Sequence, residues 1–508
     1  MRRGIFACAA AMVIALLATS CAKQEEDPIE DQRLRSFDAW VEKNAPNAQK
    51  IEGGIYIEKL YSSTQPGALT PVGSNSSTAE DEWVMINYTG REMTTGNVFV
   101  TRDPEIAKHQ GTYTDYTHYT TDYVPYTPYN SLYYSSNLDL IMGNFLALGQ
   151  MKEGDICRVY IPSALAYGSS GFSYTGSGFE GQNALGEDLP VIMDLELVKV
   201  VKNPSSYEAS LVQNYAVSQM GLNLSDTVRT NLYRKHLSYG KETRDTIKDG
   251  ETVSVYYVGR FMDGFVFDTN LEDTAKKHNL AQYYDDTHYE ALSVEVGASE
   301  DTDDGTTSEN TVVVGLDAAL ATMLYGESSQ IIFTSTYGYG TSGQFPTYSS
   351  SSSSSSSSST TTVASSIIPP YTPLIFDVMV APKYGDGTKQ FPYTFHAITE
   401  RLGEVDGVWV EGYVAGVALG DDYTTFCDTL ATIVASGVKT NLMLSDGTYQ
   451  KKPDECFTAK LPEGAIMDAL NIPDNDGLVF RQKVKLYGNL RKYLGTYGIV
   501  DITDYAIE

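Results

Sequence analysis

The chain reads as an α+β protein, two copies of one mixed domain followed by a small β-barrel. Three observations lead there. Residues 253–268, VSVYYVGRFMDGFVFD, alternate apolar and polar side chains, turn at Asp263-Gly264 and alternate again. That is a strand, a tight turn and a second strand. Residues 84–100, VMINYTGREMTTGNVFV, follow the same plan, and after residue 391 the pattern gives way to short strands of a different character.

Bulk properties bound the rest. A chain of 508 residues is too long for one core and suggests about three domains. The 65 Asp+Glu against 36 Lys+Arg argue against a nucleic-acid partner, which needs clustered cations, and favour a well-solvated body. At the N-terminus Arg2 and Arg3 precede an apolar run, residues 5–17, too short to span a bilayer comfortably. Ala18-Thr19-Ser20-Cys21 then resembles a bacterial lipoprotein lipobox, with Ala18 where Leu is commoner. Residues 1–20 are thus expected to be a signal peptide and Cys21 the lipidated residue; the alternative is an ordinary secretory signal with an incidental cysteine. Residues 21–36 form an acidic tether, and the implied location is the outer membrane, on its periplasmic face or the cell surface. Cys157 lies in an apolar strand pattern and is expected in the core. Cys427 and Cys456 share a domain; their spacing leaves open whether they pair. The six histidines lack zinc-ligand spacing, residues 300–304 and 474–476 lack the calcium-loop pattern, and no nucleotide or hydrolase motif is present. No metal or cofactor is therefore expected.

In chain order, residues 37–45 place Phe37, Trp40 and Val41 at helical spacing, and strands begin near Gly54. After the first strand-turn-strand unit comes a tyrosine-dense insertion, residues 101–136, with Tyr113, Tyr116, Tyr119, Tyr123, Tyr126 and Tyr129 every three or four residues. Pro125, Pro128 and many Thr residues oppose a helix, so the insertion is expected to be a loop whose rings pack on the domain. Residues 138–151 have a helical pattern, 157–162 and 189–200 are strands, and 207–220 is a linker helix.

The second copy repeats the landmarks. Tyr88 and Tyr257, like Gly90 and Gly259, are 169 apart; Met151 and Met323, and Tyr167 and Tyr339, are 172 apart. The insertion recurs too, since Thr117-His118-Tyr119 matches Thr287-His288-Tyr289 at a shift of 170. The offset grows to 183 between Asp194 and Asp377 because of the serine run 349–359, a low-complexity loop. Residues 37–202 and 203–383 are the two expected domains. Residues 391–508 hold strands at 408–414, 442–445 and 482–490 with a helix near 464–470, and resemble an OB-like β-barrel.

Together the landmarks resemble FKBP-type peptidyl-prolyl cis-trans isomerases over roughly residues 50–202 and 231–382. The motifs are YTGR and YVGR after a strand, Val-Phe with a following Asp, AYG or GYG, IIPP, and a final L-I-F-D-V strand. The resemblance implies an antiparallel sheet wrapped on a short helix, with the substrate proline held in an apolar pocket between them. It also implies, in the second copy, Tyr257, Phe267, Asp268 and Tyr339 as catalytic residues and Val314, Leu316, Ile367, Ile368 and Phe376 as substrate-binding residues. Leu316 stands where family members often carry Trp. In the first copy Tyr88, Phe99, Ile141 and Tyr167 match. Val100 replaces the carboxylate, Asn144 takes the pocket floor and Met193 replaces the last Phe, which implies a weak or silent domain.

Isomerisation rotates a partial double bond over about 18–20 kcal/mol. No bond breaks, so aromatic walls, one carboxylate and one or two phenols suffice without a cofactor. The expectation is a lipid-anchored isomerase acting on proline-containing polypeptides in the envelope or at the surface. The alternative is a non-catalytic surface lipoprotein that captures peptides or glycans on its tyrosine-rich insertions.

Overall fold

The computed structural model describes residues 28–72, 82–126, 140–172, 184–240, 245–299, 312–344, 368–447 and 452–508. Cys21, the signal segment, the acidic loop 300–304, Ile367 and the serine run lie outside the described residues. The chain divides into two compact units, Met1–Glu208 with Thr341–Tyr371, and Ala209–Gly340 with Thr372–Glu508.

The first unit holds a seven-stranded sheet. Its order is β1 (Gln49–Lys50), β2 (Tyr56–Tyr61), β6 (Ile156–Ile161), β7 (Val191–Val201), β3 (Trp83–Glu92) and β4 (Val98–Thr101), with β5 (Asp122–Pro125) on β3. All pairings are antiparallel. Alternation along these strands sends Val84, Ile86, Val159, Met193 and Leu195 into one core, together with Ala147 and Leu148 of a short helix. The opposite face is covered by α1 (Pro28–Asn44), whose Phe37 and Val41, with Ala45 just beyond its end, pack with Tyr56, Tyr160 and Met93. This helix starts inside the stretch read as a tether, because residues 32–39 contain no Gly or Pro to stop it.

The insertion is more regular than the loop expected. Asp103 caps α2 (Pro104–Gln110) by accepting from the backbone N–H of Glu105 and Ile106, and Gly111 ends it in the left-handed region at φ +71. The strand β5 then pairs with the first half of β3. Its rings do pack on the domain: Tyr116, Tyr123 and Tyr126 are buried. The helix expected over 138–151 is only α3 (Met142–Leu148).

The second unit repeats the sheet. After α4 (Pro204–Ser218), the order is β8 (Thr227–Arg229), β9 (Leu232–Tyr239), β13 (Glu327–Phe333), β14 (Leu374–Val380), β10 (Thr252–Arg260) and β11 (Val266–Thr269), with β12 (Leu292–Glu295) on β10. Its insertion carries α5 (Glu272–Lys277), and α6 (Val314–Leu320) is the counterpart of α3. Val212, Ala216 and Met220 cover the outer face against Tyr233, Ile332 and Ile375, as α1 does in the first copy. The covering helix is therefore part of the repeat.

Close approaches explain the shared glycines. A Cβ on Gly143 would lie 2.4 Å from Ile161, and one on Gly315 would lie 2.6 Å from Phe333, so each helix can sit on its sheet only through glycine. A Cβ on Gly259 would meet Phe267 at 2.7 Å. The Arg of the YTGR and YVGR motifs has a partner as well: Arg91 reaches Asp194 at 2.5 Å, and Arg260 reaches Asp377 at 3.0 Å.

The C-terminal segment, also in the second unit, is a closed barrel. Strand β15 (Val405–Ala418) pairs with β17 (Asn441–Ser445), which pairs with β18 (Phe457–Lys460). Next come β20 (Thr496–Ile507), parallel to β18, and β19 (Lys483–Tyr493), which returns to β15; β16 (Phe426–Cys427) adds to the end of β15. Three short helices, α7 (Leu430–Ser436), α8 (Ala465–Leu470) and α9 (Ile472–Val479), sit on the barrel, burying Ile433, Leu470 and Val479. Cys157 is buried in the core of the first sheet, while Cys427 and Cys456 are free thiols.

Candidate active site

In the second repeat the strand-turn-strand unit folds as β10 and β11. The turn is made at Gly264, φ +94, with Asp263 accepting from the Phe265 N–H. The register pairs Gly259 with Asp268, which brings Tyr257 and Asp268 to one side of the sheet. The Tyr257 hydroxyl donates to Asp268 Oδ2 at 2.7 Å. Phe267 stands edge-on to Phe376 at 5.8 Å, and Phe376 stacks on Phe333 at 5.8 Å, beneath the Gly315 contact. Tyr257 is tilted against Phe376 at 6.1 Å. Phe267, Leu316 and Phe376 are buried, whereas Tyr257, Asp268 and Tyr339 are half-buried. The arrangement is an apolar aromatic base with a polar rim.

Two residues of the rim were not anticipated. Tyr284 donates its hydroxyl to Asp268 Oδ1 at 3.2 Å, and His288 Nε2 lies 3.1 Å from the same oxygen. Their rings stack at 3.7 Å. Burial pushes the Asp268 carboxyl up, but the hydrogen bonds from His288 and Tyr257 and the imidazolium charge outweigh it and hold it below its usual range. The bond to Asp268 raises His288 in turn. Burial, with the Asp268 charge beside them, pushes Tyr257, Tyr284 and Tyr339 up, so all three phenols are donors. The sequence signal for His288 was present in the repeated Thr-His-Tyr triplet; what was missing was any sign that it faces Asp268.

The remaining expected positions fall as follows. Val314 is half-buried in the first turn of α6, but the place held by Ile141 at the N-cap of α3 is taken by Val313, one residue earlier. Ile368 is buried and forms an isolated bridge with Gln344. Among the described residues no cluster of His, Cys, Asp or Glu could hold a metal ion.

In the first repeat an extra ring stands among the expected pocket residues. Phe172 bridges Leu185, as Gln344 bridges Ile368, and its ring lies 5.6 Å from Phe99 and 4.7 Å from Tyr167. An aromatic ring thus occupies the space between two of the expected pocket walls. Asn144 is buried with its Oδ1 lacking a hydrogen-bond partner among the described residues, and Met193 is fully buried. The loss of the carboxylate needs correction. Val100 does pair with Gly90, the register Asp268 has in the second repeat, but Asp122 on β5 takes over its bond. It accepts from the Tyr88 hydroxyl at 2.6 Å and is clamped by Arg102 at 2.5 Å, both charged side chains being more than nine-tenths buried. Burial pushes the Asp122 carboxyl up against the pull of Arg102. Beside this pair lies a cleft of about 520 Å³, lined by Asn87, Arg102, Tyr119 and Glu196 among others.

Residues 293–381 match the family model of FKBP-type peptidyl-prolyl cis-trans isomerases, and residues 394–508 match a domain of unknown function. The matched segment of the second repeat belongs to the FKBP-type isomerase family. It contains Val314, Leu316, Tyr339 and Phe376, while Tyr257, Phe267 and Asp268 precede it. Among solved structures, the chain is similar to the three FKBP domains of wheat FKBP73 at 16% identity and a TM-score of 0.20, covering 66% of this chain and 98% of that one. It is also similar to a peptidyl-prolyl cis-trans isomerase of Pseudomonas syringae pv. tomato, at 21% identity and a TM-score of 0.23 over 35% of this chain and 98% of that one. A third similarity is to FkpA of Escherichia coli, at 16% identity and a TM-score of 0.21 over 40% and 75%.

Proposed function

We propose that the chain is a peptidyl-prolyl cis-trans isomerase whose activity resides in the second repeat. The observation that carries this is a carboxylate, Asp268, held at the rim of an aromatic base by Tyr257 and its neighbours. An X-Pro ring seated on Phe267 and Phe376 leaves water, and desolvation of the amide carbonyl weakens the resonance that sets its barrier of about 18–20 kcal/mol. Tyr339 is the donor for the substrate carbonyl, Val314 and Leu316 add to the apolar contact, and no nucleophile or cofactor takes part. The first repeat, with Phe172 standing among its expected pocket residues, is a silent scaffold. Clients are proline-containing polypeptides of the envelope or surface, and Cys21 carries the lipid that anchors the protein to the outer membrane.

The test is isomerisation of a proline-containing peptide by the full chain. Phe267→Ala abolishes the rate and Phe99→Ala leaves it unchanged; equal rates for wild type and Phe267→Ala would sink the proposal. A second reading, ligand capture by the first repeat, has the 520 Å³ cleft in its favour, with Tyr113 stacked on Tyr119 beside it. Glycan and peptide arrays with Tyr119→Ala decide it, because loss of binding with an intact isomerase rate assigns capture to the cleft.

A further inference from the structure

We infer that His288, with Tyr284, is a positioning residue for Asp268, making the polar rim of the second repeat answer to the charge on an imidazole carried by the insertion. This rests on the isomerase reading and adds a control to it.

Three donors from described residues meet the carboxylate, and two of them come from the insertion. Tyr257 holds Oδ2, while Tyr284 and His288 converge on Oδ1. Asp268 is 37% exposed, so without the insertion Tyr257 alone of these three donors would hold it against water. The insertion is itself held in place. Asp285 caps the single turn Asp286–Tyr289, accepting from the His288 N–H at 3.1 Å and from the Thr287 hydroxyl at 2.7 Å, and the Tyr284 ring lies flat on the imidazole. The imidazole therefore reaches Asp268 from a fixed backbone.

The first repeat supplies an internal comparison. It has the same Thr-His-Tyr triplet, but Val100 gives His118 no carboxylate at the matching place. The carboxylate that meets Tyr88 is Asp122, and its clamp is Arg102. An arginine stays charged at every relevant pH, whereas a histidine changes charge between about pH 5 and 8. One repeat thus fixes its tyrosine-carboxylate pair permanently, and the other does so through a titratable group.

The groups around His288 set the direction. Asp268 and Asp285 are the carboxylates that act on it, and Tyr257, Tyr284, Tyr289 and Tyr339 are phenols that stay neutral; Glu272, Lys276 and Asp286 act on the neighbouring Tyr289. With the imidazole protonated, Asp268 is neutralised and pinned. With it neutral, the rim carries an uncompensated negative charge on a carboxylate freer to leave Tyr257.

The experiment uses the full chain and a proline-containing tetrapeptide, following kcat/KM from about pH 6 to about pH 9. For wild type the value falls about tenfold through one ionisation above the free imidazole range. His288→Gln keeps a neutral donor and gives a flat profile near the wild-type high-pH limb; His288→Ala is lower still. In parallel, the His288 imidazole is titrated by NMR in wild type and Asp268→Asn, where its raised pKa returns toward the ordinary value. A wild-type profile that His288→Gln reproduces, or an imidazole unmoved by Asp268→Asn, overturns the inference. A wild-type chain with no isomerase rate but a shifted imidazole instead overturns the isomerase reading, and the positioning role falls with it.

Discussion

Arg102 and Asp122 show what a buried charge pair demands. Removing either partner leaves the other charged and unpaired inside the domain, so Arg102→Ala is expected to destabilise the first repeat by about 3–5 kcal/mol in denaturant melts. The double change Arg102→Met with Asp122→Leu costs far less, since neither charge remains. The half-exposed pair in the second repeat behaves differently, through pH. The folded pKa of His288 lies above its ordinary 6.5, so its contribution is complete below 6.5 and fades as pH rises through the folded value. That of Asp268 lies below its ordinary 3.8, so its contribution is present above 3.8 and fades as pH falls through the folded value. Thermal melts should show the pair's stabilisation between those limits, 3.8 and 6.5, and Asp268→Asn should remove it. Tyr257 and Asp268 were legible because they sit on adjacent strands of one hairpin. Asp122 was not: it lies 22 residues beyond Val100, and only the pairing of β5 with β3 carries it to Tyr88.

At the level of elements, the short helices depend on glycine. Gly315→Ala would press a methyl into Phe333, and Gly143→Ala would press one into Ile161. Each is expected to cost about 1–3 kcal/mol by chemical denaturation, the range for overpacking a filled core. A loss well under that would mean the helix can slide. The strands were readable because each buries one face and so alternates with period two. The helices were harder to bound. In α3 and α6, seven residues make two turns, too few for periodicity to mark their ends. In the first insertion the tyrosine spacing drew attention away from Asp103, Pro104 and Gly111, which are ordinary start and stop signals for α2.

For the molecule as a whole, duplication was plain in offsets of 169 to 172 through most of the repeat, and the barrel was expected from its short strands. Its closure depends on β19 returning to β15, a pairing of residues 70 to 85 apart that no local pattern marks. The anchoring proposal belongs to this scale too: Cys21→Ser is expected to abolish labelling by a fatty-acid analogue and move the protein from the membrane fraction to the soluble one. Retention in the membrane fraction would refute it. Lipid anchors crowd their proteins onto a surface, where any open row of backbone N–H and C=O groups invites a neighbour to add a strand. In the barrel, β15 is paired with β17 on one side and β19 on the other. The open sheets end instead in strands of two to four residues, β1 and β4 in one and β8 and β11 in the other. β8, however, pairs with only Leu232 and Tyr233 of β9, so residues 234–239 keep an outer edge with no strand partner among the described residues, and that is where a crowded neighbour would add its strand.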